Sequence, residues 1–279
     1  MQAGIDTADF DADSKYTKLL EGGLARLYHT NSYDYLTYLK RLIARGMKQK
    51  PDANAREKKF FDLFFYTVWM DPVEKVCKTY GLPALQKEEI VSRAARLSWF
   101  TEELAFLVDL RLSQLSKTTH WIRIDEQAEI ELYGCYSADE IHIMLENKLG
   151  RWQVLGTQYN AERKFAMVFV TLKKSDNEYS PSTLYEDYAI SQSQFHWQSM
   201  NKVTKASAEG QRIVQQNSNG WKYILFVRDT KQDEYNNTNA YYCLGLMDYH
   251  SSHGERPMNV VWDMHNEIPG FILESAKTM

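Results

Sequence analysis

The sequence predicts an α+β chain: an N-terminal all-helical domain followed by a mixed or barrel-like β-sheet domain with a few helices. Two textures and one motif support this. Up to Leu115 the apolar residues recur at helical spacing, whereas after Lys117 they gather in short runs rich in β-branched and aromatic side chains. Within the second stretch, Ser137-Ala-Asp-Glu140 forms a capping box, a serine and a glutamate placed to satisfy each other's backbone N–H groups at a helix start. A length of 279 residues suits two domains, which we place at 1–118, a helical connector, and 119–279.

Residues 1–10 read as a disordered or artificially added lead. From Asp13 to Leu115 five or six helices are expected. Leu36, Leu39 and Ile43 share one helical face, Phe61, Phe64, Phe65 and Val68 another, and Leu104, Leu107, Val108 and Arg111 a third. Asp71-Pro72 resembles an N-cap followed by proline at the first helical position, and Gly81-Leu-Pro83 a helix stop. In the second half the expected strands are Phe165–Leu172, Phe195–Gln198, Lys222–Arg228, Tyr241–Met247 and Met258–Trp262. Polar turns at 175–178 and 232–238 separate them, and the capping box leads into a helix over Ile141–Leu149.

Composition is that of an ordinary globular chain, 44% hydrophobic and 25% charged. The densest apolar stretch, Phe60–Met70, is interrupted by Asp62, so no membrane span is expected and a cytoplasmic protein is the simplest reading. Cys77, Cys135 and Cys243 lie far apart, which speaks against a zinc ribbon or a disulfide framework. Residues 1–120 hold 18 Lys and Arg against 16 Asp and Glu, while residues 121–279 hold 15 against 21. Binding to DNA through phosphates alone would favour a basic surface. Any DNA recognition by the second half must therefore come from a local pocket and local basic residues.

Phosphate-loop, dinucleotide-binding, HExxH and GxSxG motifs are missing, so the chain carries no recognisable catalytic machinery, and no cofactor or metal is expected. Pro51-Asp52 with Glu57, Lys58 and Lys59 faintly echoes a metal-dependent nuclease pattern, but it falls at a helix start and reads as a solvated face. Cys243, His250, His253 and His265 can be assembled into a zinc site only at irregular spacing and read as scattered loop residues. Residues 40–59 contain eight basic side chains against Asp52 and Glu57. That run reads as a solvated face or a contact with another domain, with DNA phosphates as the other possibility.

The strongest local signal is Phe195-His-Trp-Gln-Ser199, preceded by Tyr185-Glu-Asp-Tyr188 and followed by Asn201. Aromatic planes beside carboxylates and amides are what a pocket for an extruded nucleobase requires. Strand alternation sends His196 and Gln198 to one side and Phe195, Trp197 and Ser199 to the other, so only one set can line such a pocket. The competing reading makes Trp197 and Tyr188 core.

Together with Tyr136-Ser-Ala-Asp-Glu140-Ile, Leu172-Lys-Lys, Leu225-Phe-Val-Arg228, Tyr242-x-Leu-Gly245, Pro257 and Trp262, these elements give the region 121–270 a resemblance. It is similar to the C-terminal module of unknown-function type on helicase-containing bacterial proteins. Many of those also carry a phospholipase-D-like nuclease, and they include SauUSI-like type IV restriction enzymes that attack DNA bearing 5-methylcytosine or 5-hydroxymethylcytosine.

The resemblance implies a reader of double-stranded DNA with modified cytosine, working beside the helicase and nuclease domains of a parent chain, with this sequence a C-terminal piece or a standalone relative. In such a reader the residue types at hand would stack a flipped cytosine among Tyr185, Tyr188 and Trp197, with Asp187 accepting from the exocyclic amine. His196, Gln198 and Ser199 would complete the base site, Asn201, Lys202 and Lys205 would meet the backbone, and Arg228 would contact a phosphate or wedge into the vacated stack, unless it is a salt-bridged strand-end arginine. Replacing Asp187 or Trp197 by alanine is then expected to abolish recognition and leave the fold intact. Met200 stands where the family commonly has a second glutamine, so that contact is not implied here. Two other classes compete: a scaffold module whose aromatics are core, and a hydrolase using His196 and Asp187.

Overall fold

A computed structural model describes residues 14–115, 118–146, 156–173, 187–234 and 236–277. The expected lead, the 175–178 turn and Tyr185 lie outside these residues. The chain divides into two compact units, 1–119 and 120–279.

The first unit contains, among its described residues, α1 (Ser14–Leu27), α2 (Tyr33–Ala44), α3 (Ala55–Trp69), α4 (Val73–Thr79), α5 (Lys87–Ala94) and α6 (Ser98–Gln114). Its helix starts are chemically marked. The Ser32 hydroxyl accepts from the Tyr35 amide, and Asn54 with Glu57 forms a capping box at α3. The aromatic face of α3 buries Phe61, Phe64 and Phe65, and Gly23 of α1 lets the two helices approach, because a Cβ there would lie 2.7 Å from Val68 Cγ1. At α4 the expectation shifts by one residue: Pro72 is itself the cap and Val73 opens the helix, while Gly81 turns the chain away at φ +63°. Glu57 is engaged as a cap, as expected of a helix start.

The second unit begins with a β1–β2 hairpin (Trp121–Arg123, Glu129–Glu131), then β3 (Cys135–Tyr136) and α7 (Ala138–Met144). The capping box forms as expected, with Ser137 and Glu140 bonded to each other's backbone, but the helix ends at Met144 and a turn follows at 145–146. Next come β4 (Thr157–Asn160), β5 (Phe165–Thr171), β6 (Tyr188–Ala189), β7 (Gln194–Gln198), α8 (Ala208–Val214), α9 (Gln216–Asn219), β8 (Lys222–Arg228), β9 (Tyr241–His253), β10 (Asn259–Met264) and α10 (Gly270–Lys277).

The main sheet runs β4-β5-β8-β9-β10-β7-β6, with β3 paired to β9. Among the described residues only β5 and β8 pair in parallel; the other pairings are antiparallel. The sheet is thus mixed and open, not a closed barrel. Gly245 lies at a register shift between β8 and β9 with φ +93°, and a Cβ there would come within 2.9 Å of Asn266 Oδ1 and 3.1 Å of Ile122 Cδ1. One sheet face packs Phe195, Trp197, Tyr223, Leu225 and Trp262 against Ile213 of α8 and Ile272 of α10.

Candidate functional site

The Phe195-His-Trp-Gln-Ser segment is β7, and its alternation divides its side chains as expected. Phe195 and Trp197 enter the packed core. His196, with Gln194 and Gln198 two residues to either side, points to the opposite face. Pairing with β10 places Gln194 opposite Asp263, His196 opposite Val261 and Gln198 opposite Asn259. These three rungs form the candidate site.

The outer rungs are polar and closed on themselves. Gln194 Nε2 donates to Asp263 Oδ1 at 2.9 Å, and Gln198 Nε2 donates to Asn259 Oδ1 at 2.9 Å. His250, beside the bulge in β9, places Nδ1 2.9 Å from the other Asp263 oxygen. The Gln194 amide, and after it His250, hold the Asp263 carboxyl below its usual range against the opposing effect of desolvation. A carboxylate offers about four lone-pair positions, so an ionised Asp263 can accept further bonds.

The middle rung carries the aromatic surface. Tyr188 of edge strand β6 pairs with His196, and their rings stack at 4.6 Å between centroids with 21° between planes. His196 is 5% exposed beneath Tyr188, which is 38% exposed. A half-open ring pair is therefore flanked by amides on both sides and by a carboxylate on one. Gln and Asn side chains each carry a donor and an acceptor, so this face can meet the edge of a flat heterocycle while the rings meet its plane.

Several expected site residues prove to be structural. Trp197 is 3% exposed and lies 6.4 Å from the Trp262 ring in the core, so it presents no stacking plane. Asp187 is buried and Oδ1 accepts the Gln198 backbone N–H at 2.9 Å, which ties the entry of β6 to β7. Ser199 is fully buried, accepts the Met258 N–H at 2.9 Å and donates to the Met200 carbonyl. Arg228 is buried as well and presents no protruding side chain to wedge into a base stack. Asn201 and Lys202 are exposed in the loop after β7, and Lys205 Nζ donates to the Ser252 carbonyl at 3.1 Å.

The histidines and cysteine considered for zinc are dispersed: His250 pairs with Asp263, His265 with Asp248, and burial pushes the Cys243 thiol up to about 12. Among the described residues no group of three metal-ligating side chains converges, and no helix is long and apolar enough to cross a membrane.

Residues 130–275, more than half of the chain, match the family described as domain of unknown function (DUF3427). The chain belongs to that family. The DUF3427 region takes in the whole of the main sheet, including all three rungs of the β7–β10 ladder. No curated protein matches the chain.

Sequence reasoning did not single out Gln194, Asn259 or Asp263. Their signal was the alternation of Asn259-Val-Val-Trp-Asp263, but its meaning depends on pairing with a strand more than sixty residues earlier.

Proposed function

We propose that the DUF3427 unit is a cytoplasmic reader of double-stranded DNA carrying a modified cytosine, and that it reads the base at the Tyr188–His196 face rather than in the interior. The observation behind this reading is the half-open ring pair between two amide-bearing rungs. The swung-out pyrimidine stacks on the exposed plane of Tyr188, and Asp263 accepts from its exocyclic amine. Gln194, Gln198 and Asn259 meet the remaining edge, and Asn201, Lys202 and Lys205 supply the local backbone contacts that an acidic unit needs. The role is recognition, with cleavage left to nuclease and helicase domains of a parent chain.

The magnitudes set what the face must do. Extruding a base costs a few kcal/mol, and stacking returns roughly 1–3 kcal/mol. A buried methyl adds only about 0.8 kcal/mol, about fourfold in affinity. Strong discrimination therefore requires a methyl-shaped recess that is left unfilled by plain cytosine.

Gel shifts with matched duplexes differing by a single cytosine methyl test the reading. Preferential binding of the modified duplex is expected. Equal affinity for both, or none for either, would instead favour a scaffold that binds another protein.

A further inference from the structure

A second feature lies at the other end of the sheet. Arg228 closes β8 where β5 and β8, the parallel pair, present their carboxyl ends, the position at which open sheets with parallel strands commonly hold ligands. It is 8% exposed. Its Nε donates to Thr171 Oγ1 at 3.0 Å, one Nη1 proton goes to the Asn239 carbonyl at 3.1 Å, and the guanidinium lies 4.4 Å from the Tyr241 ring centroid.

A guanidinium has five N–H donors. Two are used here, and among the described residues no carboxylate pairs with it; Asp229, next in the chain, pairs with Lys173 at 3.0 Å. Burying a cation without a counter-charge is costly, and every contact Arg228 makes is with a neutral group.

Two further donors lie close by, beside the Asn239 carbonyl and the Asp229 carboxylate. The Thr171 hydroxyl, already an acceptor from Arg228, keeps its own proton to give. Lys173 lies two residues further along the same chain, and its pairing with Asp229 is half exposed and therefore weak enough to exchange for a stronger partner. Arg228 is also held rigid by three contacts, which reduces the entropy lost when its fork closes on a planar or tetrahedral oxyanion.

We propose that Arg228, Thr171 and Lys173 form an oxyanion site for a phosphate group, separate from the base-reading face. Tyr241 opens β9, and Ser251, opposite Val261 of the base-reading ladder, lies ten residues further along it, at most about 33 Å away. The two sites can therefore fail or succeed independently. A free phosphate, a nucleotide-borne one and a DNA backbone phosphate share this chemistry, and the test below distinguishes them.

Calorimetric titration of the full chain with inorganic phosphate and with pyrophosphate tests the site. Saturable binding is expected in the wild type. Arg228→Lys, which keeps the charge and loses the fork, should weaken it on the order of tenfold or more. The exposed Lys173→Met change should weaken it less, and keeps the test valid should the Arg228 variant not fold. Unmodified duplex DNA then distinguishes the source. If the phosphate belongs to DNA, duplex displaces pyrophosphate, and Arg228→Lys lowers the salt slope of duplex binding by about one. If duplex does not displace it, the ligand is a free or nucleotide phosphate. Absence of saturable phosphate or pyrophosphate binding in the wild type, or equal binding by both natively folded variants, overturns the proposal.

Discussion

The two faces of the β7–β10 strand pair differ by a single step of alternation, yet they do opposite work. Phe195, Trp197, Val260 and Trp262 on one face are buried in a continuous aromatic and aliphatic core. Gln194, His196, Gln198, Asn259 and Asp263 on the other are half-buried or roofed by one tyrosine; side-chain hydrogen bonds join Gln194 to Asp263 and Gln198 to Asn259, and His196 stacks beneath Tyr188. An aromatic-rich run in sequence thus says that a strand is present. Which of its rings presents a surface is decided by the pleat and by what covers each side.

That contrast can be broken by substitution, beginning with the core. Trp197→Ala removes a large side chain from a filled interior and should cost about 3–5 kcal/mol of unfolding free energy, read by urea denaturation. An unchanged midpoint would mean that Trp197 is not core. The alanine replacement expected from sequence to leave the fold intact is therefore the one that damages it most.

Protonation probes a second buried polar group. His142 of α7 is fully buried, and desolvation depresses its imidazole to about 4. In the unfolded chain the group titrates near about 6.5. Below that pH the unfolded state binds the extra proton, so stability present above 6.5 is lost as pH falls toward 4, by up to about 3 kcal/mol. The difference in unfolding free energy between wild type and His142→Phe should change by that amount between pH 7 and pH 4. A constant difference would contradict it.

Asp187→Ala sharpens the division between structural and presenting carboxylates. It leaves the buried Gln198 N–H unsatisfied and should cost about 1–3 kcal/mol in unfolding. Asp263→Ala, on a partly exposed carboxylate, should cost less in stability and more in binding. Smallest in stability is Tyr188→Ala, where an exposed ring is lost from an edge strand, with a shift of under about 1 kcal/mol by thermal unfolding.

The strands Phe165–Thr171 and Lys222–Arg228 were legible because hydrophobic runs bounded by polar turns are local signals. The short edge strand β6 and the β1–β2 hairpin were not, because two or three residues carry too little periodicity. At the candidate site, His196, Gln198 and Tyr188 were visible from motif and alternation. Asp263 and His250 were not, since they join the site only through the β7–β10 and β9–β10 registers. Arg228 is legible as a strand-end cation, but its neutral contacts with Tyr241 and Thr171 arise through tertiary structure alone.

In the proposed reader the half-open face, not the core face, meets the base. The most direct test is the affinity of Tyr188→Ala for a duplex carrying one 5-methylcytosine, compared with the wild type under the same salt. We predict a loss of about 1–3 kcal/mol, roughly five- to more than a hundredfold, with thermal unfolding nearly unchanged. Wild-type affinity in a natively folded Tyr188→Ala protein would contradict it.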